Sequence, residues 1–356
     1  MSRDRMHMHR PSFLTYLLLA ALVAGVLPLR AQKVGTSSLQ FLKVMPTARA
    51  AAMGDAYATL AAGPDAMYWN PAGIAGETRT AFSASMVLWL FDTRQNMLAG
   101  TVPLGEWGTA GVQLQYVDYG TMDVTRTDRL DFIGSSPDLR YNPGYTGETF
   151  SPTAMVIGVS YANRMTDRFS AGLSMKYIHE SLWNSPTVVL TKPLTGETEE
   201  VNTYTRLFLF DFGMLYNTGY RSVKIGVSIQ NFGSQVKFAR EWFPAPLAFR
   251  FGTAGDLIGP DALFAASDAH RITAAFDIFQ PNDYAQQFHG GVEYAFAEAL
   301  FLRAGYKFNY DNDALTAGAG VRQEISGMPF NVDYSYGAMG DYLPAVHRIT
   351  VGAQLP

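Results

Sequence analysis

The stretch Arg221 to Phe232, RSVKIGVSIQNF, decides the fold, because apolar side chains alternate in it with polar or small ones. One face of an extended strand with this sequence is purely apolar and consists of Val223, Ile225, Val227 and Ile229. The other face carries Lys224 and Gln230, which the core of a soluble protein would not accommodate. Strict alternation of this kind is typical of a membrane-spanning β-strand, with lipid on one side and a lumen on the other.

Similar segments, each followed by a turn, recur from about residue 80 to the end of the chain. The segment Ala299 to Tyr310 alternates in the same way and has aromatic residues at the end of its apolar face. We predict fourteen strands, near residues 80–90, 93–103, 107–118, 151–162, 168–180, 205–216, 221–232, 245–257, 269–280, 286–297, 299–310, 313–324, 328–338 and 346–354. The predicted fold class is all-β, a transmembrane antiparallel β-barrel of about 14 strands with an N-terminal helical plug.

The lengths of the connections assign the two ends of this barrel. The connections 119–150, 181–204 and 233–244 are long, whereas 163–167 and 217–220 are short. Bacterial barrels keep short turns in the periplasm, so both ends of the strand region are expected there. The connection 255–269 fits less well, because it would be a long periplasmic turn.

The first 31 residues are predicted to be a cleaved signal peptide. Three arginines within the first ten residues precede an uncharged apolar run from Phe13 to Leu29. The alternative is an N-terminal anchor helix, for which the run is short, since a span needs about 20 residues. The predicted organisation is therefore a signal peptide at 1–31, a hatch or plug segment at 32–78 and the barrel at 79–356.

Composition agrees with an exported membrane barrel. The chain has no cysteine, which excludes disulfides and cysteine-based metal sites. Removing the four basic residues and the one acidic residue of the leader from the totals leaves 23 basic and 30 acidic residues, so nucleic acid is not an expected partner. The 19 tyrosines and 23 phenylalanines suit aromatic girdles at the membrane surfaces.

The segment before the first strand does not alternate and predicts two helices. Ala48 to Leu60 is rich in alanine and has Thr47 as a candidate N-cap. Asp65 is a candidate cap for a short turn over 66–69, which Asn70-Pro71 ends. A small apolar unit of this size fits inside a barrel lumen as a plug.

This segment resembles the N-terminal signature of the PorV/PorQ family, outer-membrane barrels related to the FadL fatty-acid transporters. The resemblance lies in Phe41-Leu42, in ARAAAMGDAY at 48–57 and in DAMYWNPAG at 65–73, the N-P-A part being shared with the FadL group. It implies a fourteen-stranded barrel with an N-terminal hatch and a role in type IX secretion. One departure is the C-terminal Leu355-Pro356, where such strands commonly end on an aromatic residue. The residues that carry the hatch motif are Arg49, Met53, Gly54, Asp65, Trp69, Asn70, Pro71, Ala72 and Gly73.

Charged residues on the lumen-facing positions form a second candidate site. Opposed charges across a narrow lumen favour a bracing network, and a selective pathway for anions is the alternative. A charge facing lipid costs about 2 to 4 kcal/mol at mid-bilayer, so the lumen is where these side chains belong. The predicted lumen charges are Lys176, Asp211, Lys224, Arg250, Arg271, Asp277, Glu293, Arg303, Lys307, Arg322, Asp333 and Arg348.

No motif for catalysis, metal binding or cofactor binding is present, and we expect a protein that is not an enzyme. The histidines after the leader are scattered over different strands without metal-ligand spacing. Four aspartates in the connection 119–150 suggest calcium as an alternative to a solvated loop, but they lack the twelve-residue pattern.

The connection 233–244 is expected to be a partner-binding loop, because Phe238, Trp242 and Phe243 would be large aromatics beyond the membrane band. The alternative is that they pack against the barrel rim or the outer-leaflet interface.

The leading functional hypothesis is a barrel in the outer membrane of a Gram-negative bacterium that binds or shuttles secreted proteins. Its expected partners are membrane lipid, subunits of the secretion translocon or of the attachment machinery, and secreted cargo. The alternative is a FadL-like channel for fatty acids or other small hydrophobic molecules. A transporter needs an apolar pocket that leads from the loops to the hatch, whereas a scaffold can be blocked throughout.

Overall fold

The computed structural model describes residues 35–191, 196–238 and 240–355, and they form a closed antiparallel β-barrel. The predicted signal peptide at 1–31 lies outside the described residues. All fourteen predicted strands are present, so the predicted fold class is confirmed. The strands are β1 Ala81–Leu88, β2 Arg94–Pro103, β3 Thr109–Asp118, β4 Thr153–Arg164, β5 Phe169–Ser181, β6 Tyr204–Asn217, β7 Lys224–Gly233, β8 Ala248–Gly259, β9 His270–Pro281, β10 Gln287–Phe296, β11 Leu300–Phe308, β12 Leu315–Ile325, β13 Met328–Gly337 and β14 Val346–Gln354.

Each strand pairs with its neighbours in the sequence, and the first strand pairs with the last. Ala81 lies opposite Gln354 and Leu88 lies opposite His347, which closes the cylinder. Closure leaves no barrel strand with an open edge inside the membrane. Among the described residues, no helix is long and apolar enough to span a membrane.

The two faces of the wall follow the alternation in the sequence. On β11 the outer face consists of exposed apolar residues, including Leu302 and Tyr306, whereas Arg303 and Lys307 point into the lumen and are buried. On β7 the outward residues are Ile225, Val227 and Ile229. The surface that meets lipid is thus apolar, and the polar side chains are enclosed.

The two ends of the barrel differ in the length of their connections. One end, called here the short-turn end, carries residues 104–108, 165–168, 218–223, 260–269, 297–299 and 326–327. The other, called here the long-loop end, carries 89–93, 119–152, 182–203, 234–247, 282–286, 309–314 and 338–345. By connection length the short-turn end is periplasmic, and both ends of the strand region lie there.

The connection predicted over 255–269 is long for this end. The first of its residues belong to β8, and the remainder folds back onto that strand. β8 continues to Gly259, and Ala265–Ala266 pairs in parallel with Ile258 and Gly259. Ala262 is buried in the fold of this turn. The fourteen strands therefore alternate in direction as predicted, and the assignment of the short-turn end to the periplasm stays a prediction.

The longest connection is a β-ribbon. Met122–Ile133 pairs with Arg140–Phe150, and only Gly144 on these two strands is buried. The prediction of a solvated loop was wrong in its secondary structure, because cross-strand pairs such as Phe132 with Tyr141 form there. Within the described ranges, no cluster of three or more acidic or histidine side chains could hold a metal ion.

The segment 35–78, called here the hatch, fills the lumen. It contains a 3-10 helix at Gln40–Lys43, α1 at Ala48–Ala52, α2 at Ala66–Trp69 and a second 3-10 helix at Pro71–Gly76. The prediction of a helix over 48–60 was wrong, because Gly54 and Asp55 both have φ of 63° and turn the chain after one turn of helix.

The two predicted N-caps were also wrong, since other groups compete for their side chains. Thr47 accepts a hydrogen bond from the Trp69 indole, with 3.1 Å between Nε1 and Oγ1. Asp65 accepts one from the Ser83 hydroxyl of β1. The cap that does form is that of Asn70, which accepts from the amide of Ala72.

Candidate functional site

The lumen is the candidate site, and wall glycines determine how the hatch sits in it. On seven strands a lumen-facing glycine leaves room where a Cβ would lie within 2.7 Å of a hatch atom. The glycine on β7 is an example, because its Cβ would lie 2.7 Å from the carbonyl oxygen of Ala58. The seven are Gly111, Gly172, Gly213, Gly226, Gly291, Gly305 and Gly318. Because they allow backbone-to-backbone approach, the hatch touches the wall on most of its circumference.

The N-P-A part of the hatch motif joins two parts of the hatch to the wall. The Asn70 side-chain amide donates to the carbonyl of Ala58 at 2.9 Å and to that of Met214 on β6 at 3.1 Å. Pro71 packs against Gly172 of β5. Met53 and Gly54 contact the glycines of β10 and β11. These motif residues therefore lie at contacts between the hatch and the wall.

Trp69 lies fully buried at the centre of the lumen, where a wall arginine holds it. The Arg250 guanidinium of β8 lies between two rings, 5.0 Å from the centre of Trp69 and 4.0 Å from that of Phe279. Gln230 donates to the Trp69 carbonyl at 3.1 Å and accepts from Arg250 at 3.3 Å. The contacts combine cation–π attraction with hydrogen bonds in a dry environment.

Glu293 is the centre of a buried ion-pair cluster. Its carboxylate accepts hydrogen bonds from Nε and from Nη2 of Arg49, each at 2.9 Å, and these bonds tie the hatch to β10. Arg303 donates to the same carboxylate at 2.6 Å and also to Asp333 at 2.6 Å, and Arg271 approaches at 3.3 Å. Charges removed from water in this way need such pairing.

Two further clusters of buried charges lie in the lumen. Lys307 lies between Asp55 of the hatch at 2.6 Å and Asp313 at 2.8 Å. Lys176 pairs with Asp211 at 2.7 Å and donates to Asn231 at 2.6 Å. The Lys307 contacts brace the hatch, and the Lys176 contacts brace a bulge in the pairing of β6 with β7.

The hatch is also fixed by a carboxylate and by a wall arginine. Asp277 of β9 accepts from the amides of Tyr57 and Ala58, each at 2.9 Å. Arg348 of β14 donates to the carbonyl of Met45 at 2.7 Å. The amides of Tyr57 and Ala58 are groups that a helix over 48–60 would have used internally.

The structure divides the predicted lumen charges into a buried layer and a rim. Lys224 and Arg322 are exposed at the short-turn end, and Arg271 is half-buried there. The other nine are buried in the layer around the hatch. An anion pathway through the lumen stays a prediction. The positions of the buried charges fit a bracing role, and only the charges at the rim are open to solvent.

An apolar groove of about 880 Å³ opens at the long-loop end. Its floor is the first part of the hatch, residues 35–44, called here the strap. Its walls include Leu90, Val117, Phe238 and Phe243. Trp242 of the predicted partner-binding loop does not line it and is 61% exposed, so the structure separates this residue from the other two.

A smaller chamber of about 390 Å³ lies between the strap and the buried charges. Trp89 and Tyr310 line both the groove and the chamber, whereas Asp55 and Arg348 line the chamber alone. The two spaces are therefore neighbours, and the hatch turn at Asp55 forms an inner wall of the chamber.

The strap is clasped by Asp283 of the connection 282–286, a contact that the sequence did not indicate. This carboxylate accepts from Lys43, Ser37 and Gln40 of the strap. Burial alone would raise the pKa of Asp283, but these three donors hold it below its usual value. The clasp closes the chamber towards the long-loop end.

A third space of about 700 Å³, called here the vestibule, opens at the short-turn end. Its floor is the underside of the hatch, from Thr59 to Ala62 and at Ala72, Gly73 and Gly76. The hatch and the ion-pair layer thus separate the groove and chamber from the vestibule.

One signal in the sequence marks site residues outside the predicted sets. The seven wall glycines occupy lumen-facing positions of their strands, and the pleat marks those positions. By contrast, nothing local marks Asp55 or Asp283, whose partners are more than 200 residues away.

No family model matches the chain, and no curated protein matches it. Solved structures match over most of its length. The toluene transporter TodX of Pseudomonas putida is 12% identical, with 86% of this chain and 96% of that chain covered and a TM-score of 0.52. The monoaromatic hydrocarbon channel CymD is 10% identical, with 87% and 97% covered and a TM-score of 0.50. A FadL homologue of Pseudomonas aeruginosa is 10% identical, with 87% and 98% covered and a TM-score of 0.48.

The likeness to TodX and CymD shows a shared fold. The structural neighbours are FadL-type outer-membrane barrels, whereas no family match confirms the assignment to PorV/PorQ. Neighbours of this type, together with the apolar outer surface, support residence in the outer membrane of a Gram-negative bacterium.

Proposed function

We propose that the protein is an outer-membrane channel for small hydrophobic molecules, which enter through the apolar groove at the long-loop end. The observation that carries this proposal is the groove itself, which lies directly above the strap and is lined by Leu90, Val117, Phe238 and Phe243. Apolar pockets of several hundred Å³ are typical of small-molecule sites. The shared fold with TodX and CymD, which are channels for toluene and monoaromatic hydrocarbons, supports the same class of ligand here.

Passage requires the hatch to move. The strap forms the floor of the groove and its clasp on Asp283 separates groove from chamber. Below the chamber, the ion pairs of Lys307 and Arg49 hold the hatch against the wall. In this proposal ligand in the groove favours a state in which the strap and the hatch shift, and the vestibule is the exit.

The test compares two residues of one short hairpin. Phe243 lines the groove and Trp242 points away from it, so Phe243→Asp places a charge in the groove and Trp242→Asp places it outside. Cells that express each variant are given radiolabelled toluene, and uptake is measured with equal amounts of barrel in the membrane. We expect a loss of about tenfold with Phe243→Asp and near-normal uptake with Trp242→Asp. Equal uptake by both variants and by unaltered protein would refute the channel.

A protein-binding role is a second candidate, favoured by the ribbon at 122–150. Phe132 pairs with Tyr141 and Leu130 with Pro143, so this part of the ribbon has an apolar face, and Leu130, Phe132 and Tyr141 stay about half exposed or more. Exposed aromatic faces of this kind often mark a protein interface. In this role the partners are secreted proteins and subunits of a translocon or of attachment machinery, as the resemblance to PorV/PorQ implies.

The two candidates separate when the ribbon is replaced by a short turn. Crosslinking in native outer membranes, followed by mass spectrometry, identifies proteins that contact the intact chain. If the ribbon deletion abolishes crosslinks to secreted proteins and leaves toluene uptake unchanged, the second role stands beside the first. If crosslinks to such proteins are absent from the intact chain, the second role is refuted.

A further inference from the structure

The vestibule is basic, although the chain as a whole is acidic. Its walls hold six basic side chains and only three acidic ones, whereas the full chain has 27 basic and 31 acidic residues. The patch is therefore not a reflection of overall composition. The basic residues are Arg49, Arg164, Arg168, Lys224, Arg271 and Arg322, and the acidic ones are Asp167, Asp256 and Glu298.

Two of the six cations are neutralised within the wall. Arg49 binds Glu293, and Arg271 binds Glu298 at 2.6 Å as well as Glu293. Asp256 accepts from the Thr273 hydroxyl at 2.6 Å. In the part of the chain that the structure describes, the other four cations have no carboxylate oxygen within 4 Å. These four, called here the open cations, are Arg164, Arg168, Lys224 and Arg322.

The shape of the vestibule strengthens their field. A concave space with protein walls concentrates the potential of charges of one sign more than a flat surface does. The pKa of Glu298 on the rim is held below the usual value mainly by the hydrogen bond from Arg271, and the charges of Arg271 and Arg322 act in the same direction. The vestibule therefore attracts anions from the periplasmic side.

The positions of the open cations select an extended anion over a small one. Arg164 and Arg168 lie at the turn between β4 and β5, whereas Arg322 lies on β12. Going round the barrel, five strands separate these positions in one direction and six in the other, so they face each other across the mouth. Lys224 on β7 lies between them along the second path. A single phosphate or carboxylate cannot contact cations on opposite walls, but a chain of several carboxylates can.

The floor of the vestibule gives such a chain access to the hatch. Leu60, Ala61, Ala62, Ala72 and Gly73 contribute to that floor, and the last two belong to the hatch motif. We propose that the vestibule is a docking site for an acidic peptide segment of a periplasmic protein, which binds across the open cations and contacts the underside of the hatch.

The test uses the full chain in nanodiscs and a fluorescent hexaglutamate peptide as the probe. Fluorescence anisotropy measures binding to the unaltered protein and to the quadruple variant R164Q/R168Q/K224Q/R322Q. Four exposed ion pairs, each of modest strength, together predict a loss of affinity of about fourfold or more. Binding to the unaltered protein should also weaken as salt is raised.

The matched control removes the same number of charges elsewhere, in R126Q/R129Q/R140Q/R206Q. These arginines lie on the ribbon and at the start of β6, at the other end of the barrel. Retained affinity in this control, with the loss in the vestibule variant and equal heat-modifiable mobility of both barrels, supports the proposal.

Three results would overturn it. The first is equal affinity of the vestibule variant and the control variant for hexaglutamate. The second is displacement of the peptide by inorganic phosphate at matched charge concentration, which would mean a small-anion site. The third is equal binding of hexaglutamine. Because the assay contains no hydrophobic ligand, its result is independent of whether toluene uptake fails.

Discussion

At the residue scale, two consecutive glycines of β10 test how closely the hatch and the wall fit. A Cβ at Gly291 would clash with the backbone of Met53, whereas a Cβ at Gly290 faces lipid and meets only the Phe308 ring at 3.8 Å. Because backbone cannot move aside as a side chain can, we expect Gly291→Ala to destabilise the barrel by about 1 to 3 kcal/mol. Urea unfolding in detergent micelles measures the difference.

The neighbouring change is the control for this prediction. Gly290→Ala should leave the free energy of unfolding within about 0.5 kcal/mol of the unaltered protein, because it makes only an ordinary contact on the surface. If both variants unfold alike, the hatch does not press on β10 as the structure indicates.

The buried carboxyl of Asp65 predicts a dependence of stability on pH. Burial is the main cause that raises its pKa to about 6, and the negative charge of Asp333 acts in the same direction. The hydrogen bond from the Ser83 hydroxyl and the positive charge of Arg49 lower the pKa. A carboxyl with a raised pKa in the folded state favours folding at low pH, and the advantage is lost between its ordinary value of 3.8 and about 6. This difference corresponds to at most about 3 kcal/mol.

The matched variant is Asp65→Asn, which keeps the shape of the side chain and cannot ionise. Free energies of unfolding are measured from pH 4 to pH 7 for both proteins. We expect the asparagine variant to lose less stability over this range than the unaltered chain. Parallel curves would show that Asp65 is not the group responsible.

At the element scale, the strap should depend on Asp283. The variant Asp283→Asn keeps a hydrogen-bonding side chain but loses the charge that holds Lys43. Hydrogen bonds to a charged group contribute about 1.5 to 3 kcal/mol, so the strap should open more often. The chain has no cysteine, so a single Ser38→Cys reports this opening as a faster reaction with a thiol reagent.

The same end of the barrel provides a control for the strap. Asp341 is an exposed residue of the connection 338–345, away from the strap contacts of Asp283. Asp341→Asn should leave the labelling rate at position 38 unchanged. A rate that rises equally in both variants would mean that charge at this end, and not the clasp, controls the strap.

At the scale of the whole molecule, the hatch should be what closes the pore. Replacing residues 39–76 by a flexible linker removes the hatch and leaves fourteen strands around an open lumen. Planar bilayer recordings should then show stable conductance steps that the unaltered protein lacks. Replacing the ribbon at 121–150 by a short turn should not open the pore, because the ribbon lies outside the lumen. If the variant without the hatch shows no conductance, the wall charges and not the hatch form the barrier.

The barrel itself was predictable because its signals are local. The pleat puts every second residue on one face, and water and lipid impose opposite chemistry on the two faces. The order Val223, Lys224, Ile225 is therefore enough to locate β7 and to decide which of its two faces contacts lipid. The same argument, repeated fourteen times, yields the strand count and the two ends.

The hatch was predictable as a plug but not in its shape. A helix over 48–60 follows from alanine content, yet helix propensity is a weak signal that tertiary contacts override. In the folded chain the carboxylate of Asp277 takes the amides of Tyr57 and Ala58, and the turn at Gly54 and Asp55 follows. Those partners come from strands more than 200 residues later in the sequence.

The sequence by itself determined the fourteen-stranded barrel, its apolar outer face and the presence of a plug, because each rests on a local pattern: alternation in the strands, and the lack of alternation together with alanine content in the plug segment. The tertiary structure alone decided which charges pair, where the hatch meets the glycine-lined wall, and which of Phe238, Trp242 and Phe243 face the groove. The physical reason is the separation along the sequence over which each interaction acts. Alternation is imposed on each strand by its own pleat, whereas an ion pair such as Arg49 with Glu293 exists only after closure of the barrel brings its two ends together.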